Sequence, residues 1–260
     1  MSVYMKREHL VKLVQIEPVN HDTSILTFYC PDIACSAMPG QFVQISCGQF
    51  LKRPFGIASV HCKEGLFSIG VRRVGQGTAE LLASKEGALF DVLGPLGNTF
   101  PIQNAKKLLM VGGGTGIFPL RFAREYAIRK NIKYFSASGY RCVADACFID
   151  DNDPNCIVST DVGDFGVKGN VLDILQKLTP DQYKDATILT VGPDIMMNKV
   201  SQWAAEKGLA CYVSLERAMA CGIGVCLVCT CKIKADNEAG FEHKRCCADG
   251  PVFESSEVIW

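Results

Sequence analysis

Short apolar runs alternate with polar and turn residues through the first hundred positions, at Leu10–Ile16, Ser24–Cys30, Gln41–Cys47, Leu66–Val74 and Ala88–Leu93. Glu17-Pro18, Pro39-Gly40 and Glu64-Gly65 punctuate them. Many strand-length runs in close succession predict an antiparallel β-barrel, interrupted by one helical patch at Thr78–Lys85. After Pro101 the rhythm changes. A buried strand at Lys107–Gly112 leads into an amphipathic helix at Gly116–Lys130, followed by strands at Lys133–Ser138 and Cys156–Thr160. A helix at Val171–Leu178, a strand at Ala186–Val191 and a helix at Asp194–Lys207 continue the alternation, which predicts a parallel α/β sheet. From about Val213 the chain is rich in Cys and Gly and loses its periodicity. The predicted organisation is therefore β plus α/β: a barrel over residues 1–101, an α/β domain over 102–212 and a small cysteine-bearing domain over 213–260.

Length agrees with this division, since 260 residues suit two compact units and an appendage. Charge adds nothing: 27 basic and 27 acidic residues cancel, and no basic run exceeds two, so neither a nucleic-acid nor an anionic-membrane partner is expected. No apolar stretch approaches the roughly 20 residues of a membrane span. The opening residues from Met1 to Glu8 show neither an apolar core nor a small-residue cleavage site, so a cytoplasmic protein is expected. Without an export signal, the fourteen cysteines are not expected to build a disulfide framework. Eight are scattered singly and read as small buried hydrophobes, whereas six fall within the 27 residues from Cys221 to Cys247.

Those six carry the strongest chemistry. Cys221, Cys226 and Cys229 form a C-x4-C-x2-C hook, and a further cysteine returns at position 246 or 247. This is the plant-type [2Fe–2S] spacing, three thiolates on a tight loop and a fourth from a distance. Gly222 and Gly224 permit the backbone such a loop requires. A four-thiolate zinc site uses the same ligands but usually pairs two short hooks. Spacing does not choose between Cys246 and Cys247, and Cys231 is a spare.

Two further groups of residues suggest nucleotides. Gly112, Gly113, Gly114, Thr115 and Gly116 lie between a predicted strand and a predicted helix, where a backbone without side chains can approach a pyrophosphate. The run is neither a G-x-G-x-x-G fingerprint nor a P-loop, and a ligand-free tight turn is the alternative. In the barrel half, Arg53, Pro54, Phe55 and Gly56 are followed by Gly70, Val71 and Arg72, then by Gly77 and Thr78. An arginine pairs a pyrophosphate bidentately; the plainer alternatives are a solvated arginine and a Gly-Thr helix cap.

In this order, together with Leu93–Gly97 and Gly192-Pro193, these motifs resemble the ferredoxin–NADP reductase superfamily. The tail from Ser214 through Cys221-Gly-Ile-Gly, closing on Cys247-Ala-Asp-Gly-Pro, is similar to the electron-transfer subunits of dihydroorotate dehydrogenase B. The resemblance runs over nearly the whole chain. It implies a flavin-binding barrel for FAD, an NAD-binding α/β domain with Gly192 and Pro193 at the nucleotide, and a [2Fe–2S] domain whose fourth ligand is Cys247. It also implies an NAD-linked oxidoreductase component of pyrimidine biosynthesis, working in a heterotetramer with an FMN-containing dihydroorotate dehydrogenase catalytic subunit. Two positions depart from the pattern. Gly56 stands where the family usually has Ser, and Val191 where the superfamily has a Cys before Gly-Pro. The competing readings are a reductase subunit for another partner, of ferredoxin–NADP or sulfide type, and a zinc-binding interaction protein. Cys221 favours the dihydroorotate family, because related transhydrogenase subunits replace the first cluster cysteine.

Overall fold

A computed structural model describes residues 7–260; the first six, on which the expectation of no export signal largely rests, lie outside the described residues. Strands β1 (Arg7–Pro18), β2 (Thr23–Tyr29), β3 (Phe42–Ile45), β4 (Arg53–His61), β5 (Leu66–Arg72) and β6 (Leu89–Leu96) close a barrel in the order β1-β2-β5-β4-β3-β6. Alternate residues point inward as the strand period dictates, and Val11, Leu13, Leu26, Phe28, Phe67, Ile69 and Val71 are sealed in its core. Two short helices, α1 (Pro31–Ser36) and α2 (Gln76–Leu82), cover its ends.

Strand β4 is absent from the hydropathy pattern, because Pro54 and Gly56 argue against a strand interior. The structure accommodates both. Residues Arg53–Gly56 pair only with β3, from Ile45↔Arg53 to Phe42↔Gly56, whereas pairing with β5 begins at Ile57↔Ile69. The missing N–H of Pro54 therefore costs no ladder bond to β5. At this point β4 and β5 part, and a cleft opens between them.

The second half holds β7 (Lys107–Gly113), α3 (Ile117–Arg129), β8 (Lys133–Tyr140), β9 (Cys156–Thr160), β10 (Val167–Lys168), α4 (Val171–Lys177), α5 (Pro180–Tyr183), β11 (Ala186–Val191), α6 (Asp194–Glu206) and β12 (Cys211–Ser214). Its strands follow the order β10-β9-β8-β7-β11-β12, all parallel. The chain proceeds outward from β7 on one side and resumes at β11 on the other, so a topological switch point lies between β7 and β11. In the tail, β13 (Thr230–Lys234) and β14 (Phe241–Arg245) form a hairpin, and β15 (Val252–Glu254) returns to pair antiparallel with β12 at Val213↔Phe253. Tail residues Cys229, Cys231, Cys246 and Cys247 share one buried cluster with Phe42 and Leu96 of the barrel and Met197 of α6. No helix of the described residues is long and apolar enough to cross a membrane.

One expectation needs correction. Of the eight scattered cysteines, Cys30, Cys47, Cys147 and Cys211 are buried and Cys142 and Cys156 half-buried, but Cys35 and Cys62 are exposed and joined as a disulfide. Helix α1 packs across the β4–β5 hairpin and brings together residues 27 apart in sequence, a pairing that hydropathy does not report.

Candidate functional site

Where β4 and β5 part, a cleft of about 600 Å3 is lined by Arg53, Phe55, Gly56, Gly70, Arg72 and Thr78 from the barrel, and by Thr115, Phe118 and Pro119 from the α/β half. Gly77 lets Arg53 lie close, since a Cβ there would sit 3.4 Å from Arg53 Nε and 2.9 Å from Cys47 Sγ. Among the described residues Arg53 has no carboxylate partner, so its guanidinium is free for an anion. Arg72 is committed: its Nε donates to Asp22 Oδ2 at 2.8 Å. Thr78 also lines the cleft, but its hydroxyl accepts from Val74 N and Gly75 N and donates to Gly75 O, so it shapes the turn ahead of α2.

Pro119 accounts for the departure at Gly56. A Cβ on Gly56 would lie 2.5 Å from Pro119 Cγ, and one on Gly70 would lie 2.1 Å from Phe118. Helix α3 thus begins by inserting Phe118-Pro119 between the separated strands, and the space a serine side chain would occupy is filled by the proline ring.

The glycine run meets this cleft from the other side. Gly114 adopts φ +54° and turns the chain from β7 through a 3-10 turn (Gly114–Gly116) into α3. A Cβ on Gly116 would lie 2.3 Å from Val191 O, and one on Gly113 would meet Met196 Sδ at 2.6 Å and Pro193 Cδ at 3.0 Å. Gly112–Gly116 and Gly192-Pro193 therefore face each other at the carboxyl ends of β7 and β11, the switch-point crevice in which open α/β sheets bind nucleotides. Glu216 and Met219, just past β12, close the floor of the cleft. Glu216 is itself exposed, and its carboxyl lies between Asp194, which opposes its charge, and Arg217, which favours it. In the sequence Glu216 is marked only by its place within the tail motif, just beyond a buried strand end.

The cysteine hook forms two pairs. Val225 N and Cys226 N both donate to Cys221 Sγ at 3.4 Å, and the Cys221 and Cys226 thiols are in contact. Cys247 N donates to Cys229 Sγ at 3.4 Å, and those two thiols are likewise in contact. Burial opposes ionisation of Cys221, but the converging amides prevail and bring its thiol down to about 6. Burial, then the neighbouring Cys229, pushes Cys247 up to about 12. No three His, Cys, Asp or Glu side chains among the described residues converge on a single point. Two thiol pairs side by side fit two bridged irons, each taking two thiolates. Cys246 turns away from this set and contacts Cys231.

Gly222 and Gly224 hold the hook open at φ +67° and +88°. Gly224 O accepts from Arg245 Nη1 at 2.9 Å, while Arg245 forms a bidentate pair with Asp249 through Nε and Nη2, both at 2.8 Å. Arg245 thus ties the hook to the returning segment, and its hydrogen bonds, against burial, hold the Asp249 carboxyl at about 2. Around Cys226, itself exposed, the hook presents Ile223, Val225, Leu227 and Val228 to solvent, an apolar rim beside the buried Cys229 and Cys247.

Known proteins agree with this geometry. The family described as the iron-sulfur cluster binding domain of dihydroorotate dehydrogenase B matches residues 216–259. Among solved structures, the NADH-dependent reduced ferredoxin-NADP oxidoreductase studied for flavin-based electron bifurcation is 32% identical, with a TM-score of 0.84 over 97% of this chain and 90% of that one. The ferredoxin reductase of carbazole 1,9a-dioxygenase, 21% identical with a TM-score of 0.71 over 80% and 68% of the two chains, shares the fold. Dihydroorotate dehydrogenase B (NAD(+)) electron transfer subunits are closer in sequence: that of Caldanaerobacter subterraneus subsp. tengcongensis is 35% identical over 85% of this chain and 87% of its own. That of Desulforamulus reducens is 36% identical over 96% of this chain and 97% of its own. With the hook, the cleft and the crevice all in place along that shared length, this chain belongs to the family of dihydroorotate dehydrogenase B electron transfer subunits.

Proposed function

We propose that this chain is the subunit through which electrons taken from dihydroorotate by a partner's FMN reach NAD+, in pyrimidine biosynthesis and within a heterotetramer. When bound, FAD exchanges a hydride with the nicotinamide and single electrons with the [2Fe–2S] cluster, which makes it the necessary converter. The pairing of Cys221 with Cys226 and of Cys229 with Cys247 is the observation that carries this reading. We assign those four thiolates to the cluster, and the contact of Cys246 with Cys231 supports leaving Cys246 out.

The remaining roles follow from position. Arg53, without a carboxylate partner and close to Gly77, would hold the flavin pyrophosphate, and Pro54–Gly56 with Gly70 and Arg72 would line the cleft that takes the ring. Gly112–Gly116 and Gly192-Pro193 take the NAD pyrophosphate at the switch point. The apolar rim at Ile223, Val225, Leu227 and Val228 excludes water where the catalytic subunit docks. Free thiols at twelve of the fourteen cysteines support a cytoplasmic site of action.

Replacing Cys226 by Ser in the assembled complex tests the order of the relay. Loss of dihydroorotate-dependent NAD+ reduction with NADH–dye activity retained is the expected result; equal loss of both defeats it. The 32% identical NADH-dependent ferredoxin-NADP oxidoreductase motivates a second reading, in which the partner is a ferredoxin-linked subunit. Ferredoxin-dependent turnover without dihydroorotate activity would establish that reading.

A further inference from the structure

We infer that Cys35 and Cys62 form a thiol-modification site, a dithiol–disulfide pair that exchanges with small-molecule thiols and, when closed, pins the segment running from α1 to the cleft. Both residues are exposed, Cys35 in the last turn of α1 and Cys62 in the turn between β4 and β5. Their Cα atoms stand 4.6 Å apart, a separation a bridge spans without backbone movement, so the pair can open and close in place. Once it opens, the Cys35 thiol has an acceptor at hand, because its Sγ lies 3.3 Å from the Cys62 carbonyl oxygen.

The rest of the chain argues against a permanent bridge. The hook thiols Cys221, Cys226, Cys229 and Cys247 must be free to take a cluster, and all four are free. Disulfides are rare where thiols are kept reduced, and exposed ones are the labile ones. The exchange balances with one co-reactant. On closure the two cysteine thiols lose two protons and two electrons, and a small disulfide such as glutathione disulfide takes them and leaves as two thiols. Opening is the reverse, through a mixed disulfide.

The pair is connected to the cleft by the chain itself. Cys30 N donates to Gly65 O at 2.8 Å and ties the start of α1 to the β4–β5 turn; the bridge ties its end to the same turn. Residues 37–41 then run directly into β3. Phe100 N donates to Pro39 O at 2.9 Å, Gly40 lines the cleft, and Gln41 Nε2 donates to Gly97 O at 3.0 Å. Gln41 O accepts from Ile57 N at 3.1 Å, beside Gly56 in the cleft wall. Opening the bridge frees one end of α1 and loosens this wall. It also restores to the unfolded chain the freedom that closing across 27 residues removes. The consequence for FAD rests on the cleft being the flavin site; the exchange itself does not.

Equilibrating the FAD- and cluster-loaded chain, without air, in stepped mixtures of glutathione and glutathione disulfide tests this, with Cys35 and Cys62 followed by differential alkylation and peptide mass. The two cysteines are expected to convert together from bridged to free within that series, and the reduced chain to melt lower by on the order of 5 °C. The reduced chain is also expected to release FAD faster, up to roughly fivefold. Cys35→Ser combined with Cys62→Ser is expected to follow the reduced wild type in every mixture. A pair that stays bridged in glutathione alone, or stays free in glutathione disulfide alone, overturns the inference even if no variant folds. Equal FAD release from the two states overturns the link to the cleft. A chain that takes up no FAD in either state overturns the assignment of the cleft instead, and the alkylation pattern still decides the exchange.

Discussion

Gln44, buried in barrel strand β3, donates Nε2 to the carbonyl oxygen of Ala220, the residue before the first hook cysteine, at 3.4 Å. Its Oε1 lies where a Cβ on Gly222 would come within 2.4 Å, and its backbone partner across the sheet is Pro54 in the wall of the β4–β5 cleft. One barrel residue therefore touches the hook and adjoins the cleft strand. Gln44→Met keeps the volume and removes the amide. The bond is long and worth about 1 kcal/mol or less, so the hook should release iron to a chelator up to roughly fivefold faster. Bleaching of the visible absorbance under chelator measures this; an unchanged rate shows that the contact does not hold the hook.

The relation between Gly56 and Pro119 yields a prediction opposite to one drawn from family resemblance alone. Restoring the family's serine with Gly56→Ser should weaken FAD binding, because the new Cβ meets the proline ring. Overpacking of this kind costs about 1–3 kcal/mol. Flavin fluorescence titration should show the loss, and the double variant Gly56→Ser with Pro119→Ala should recover it. Tighter binding by Gly56→Ser alone would mean that the proline moves aside freely.

Much of this site was legible in the sequence because its chemistry is local. The hook, the glycine run and Arg53 declare themselves by spacing, and long periodic elements such as α3 and α6 lie within one or two residues of their expected bounds. What the sequence concealed was tertiary. Strand β4 defies strand propensity because only one edge of its first half is paired, and β15 joins the parallel sheet from far along the chain. The Cys35–Cys62 pairing, the wedge of Phe118-Pro119 and the commitment of Arg72 to Asp22 depend on contacts between segments, and periodicity carries no record of them.

Adjacent cysteines 246 and 247 should behave differently. Cys247 contacts Cys229 within the hook set, whereas Cys246 contacts Cys231 on the other side of the segment. Cys247→Ser should lose most of its iron and acid-labile sulfide, and Cys246→Ser should retain both. Equal retention by the two variants would remove Cys247 from the ligand set.

Outside the cleft and the hook, Asp153, just ahead of β9, is tied to α3. Arg124 Nη2 donates to it at 2.7 Å and to Asp150 at 2.6 Å, and the Tyr134 hydroxyl donates to Asp153 as well. Burial opposes the charge on Asp153, yet the hydrogen bonds from Tyr134 and Arg124 prevail and hold its carboxyl well below the ordinary 3.8. The folded state therefore favours the ionised form. The resulting stability is fully present above the unfolded value and is lost as pH falls from about 4 toward the depressed folded value. Asp153→Asn should be destabilised near neutral pH, and its deficit against wild type in denaturant midpoint should shrink by about pH 3. A deficit that stays constant across that range would show that the hydrogen bonds, rather than the carboxylate charge, carry the contribution.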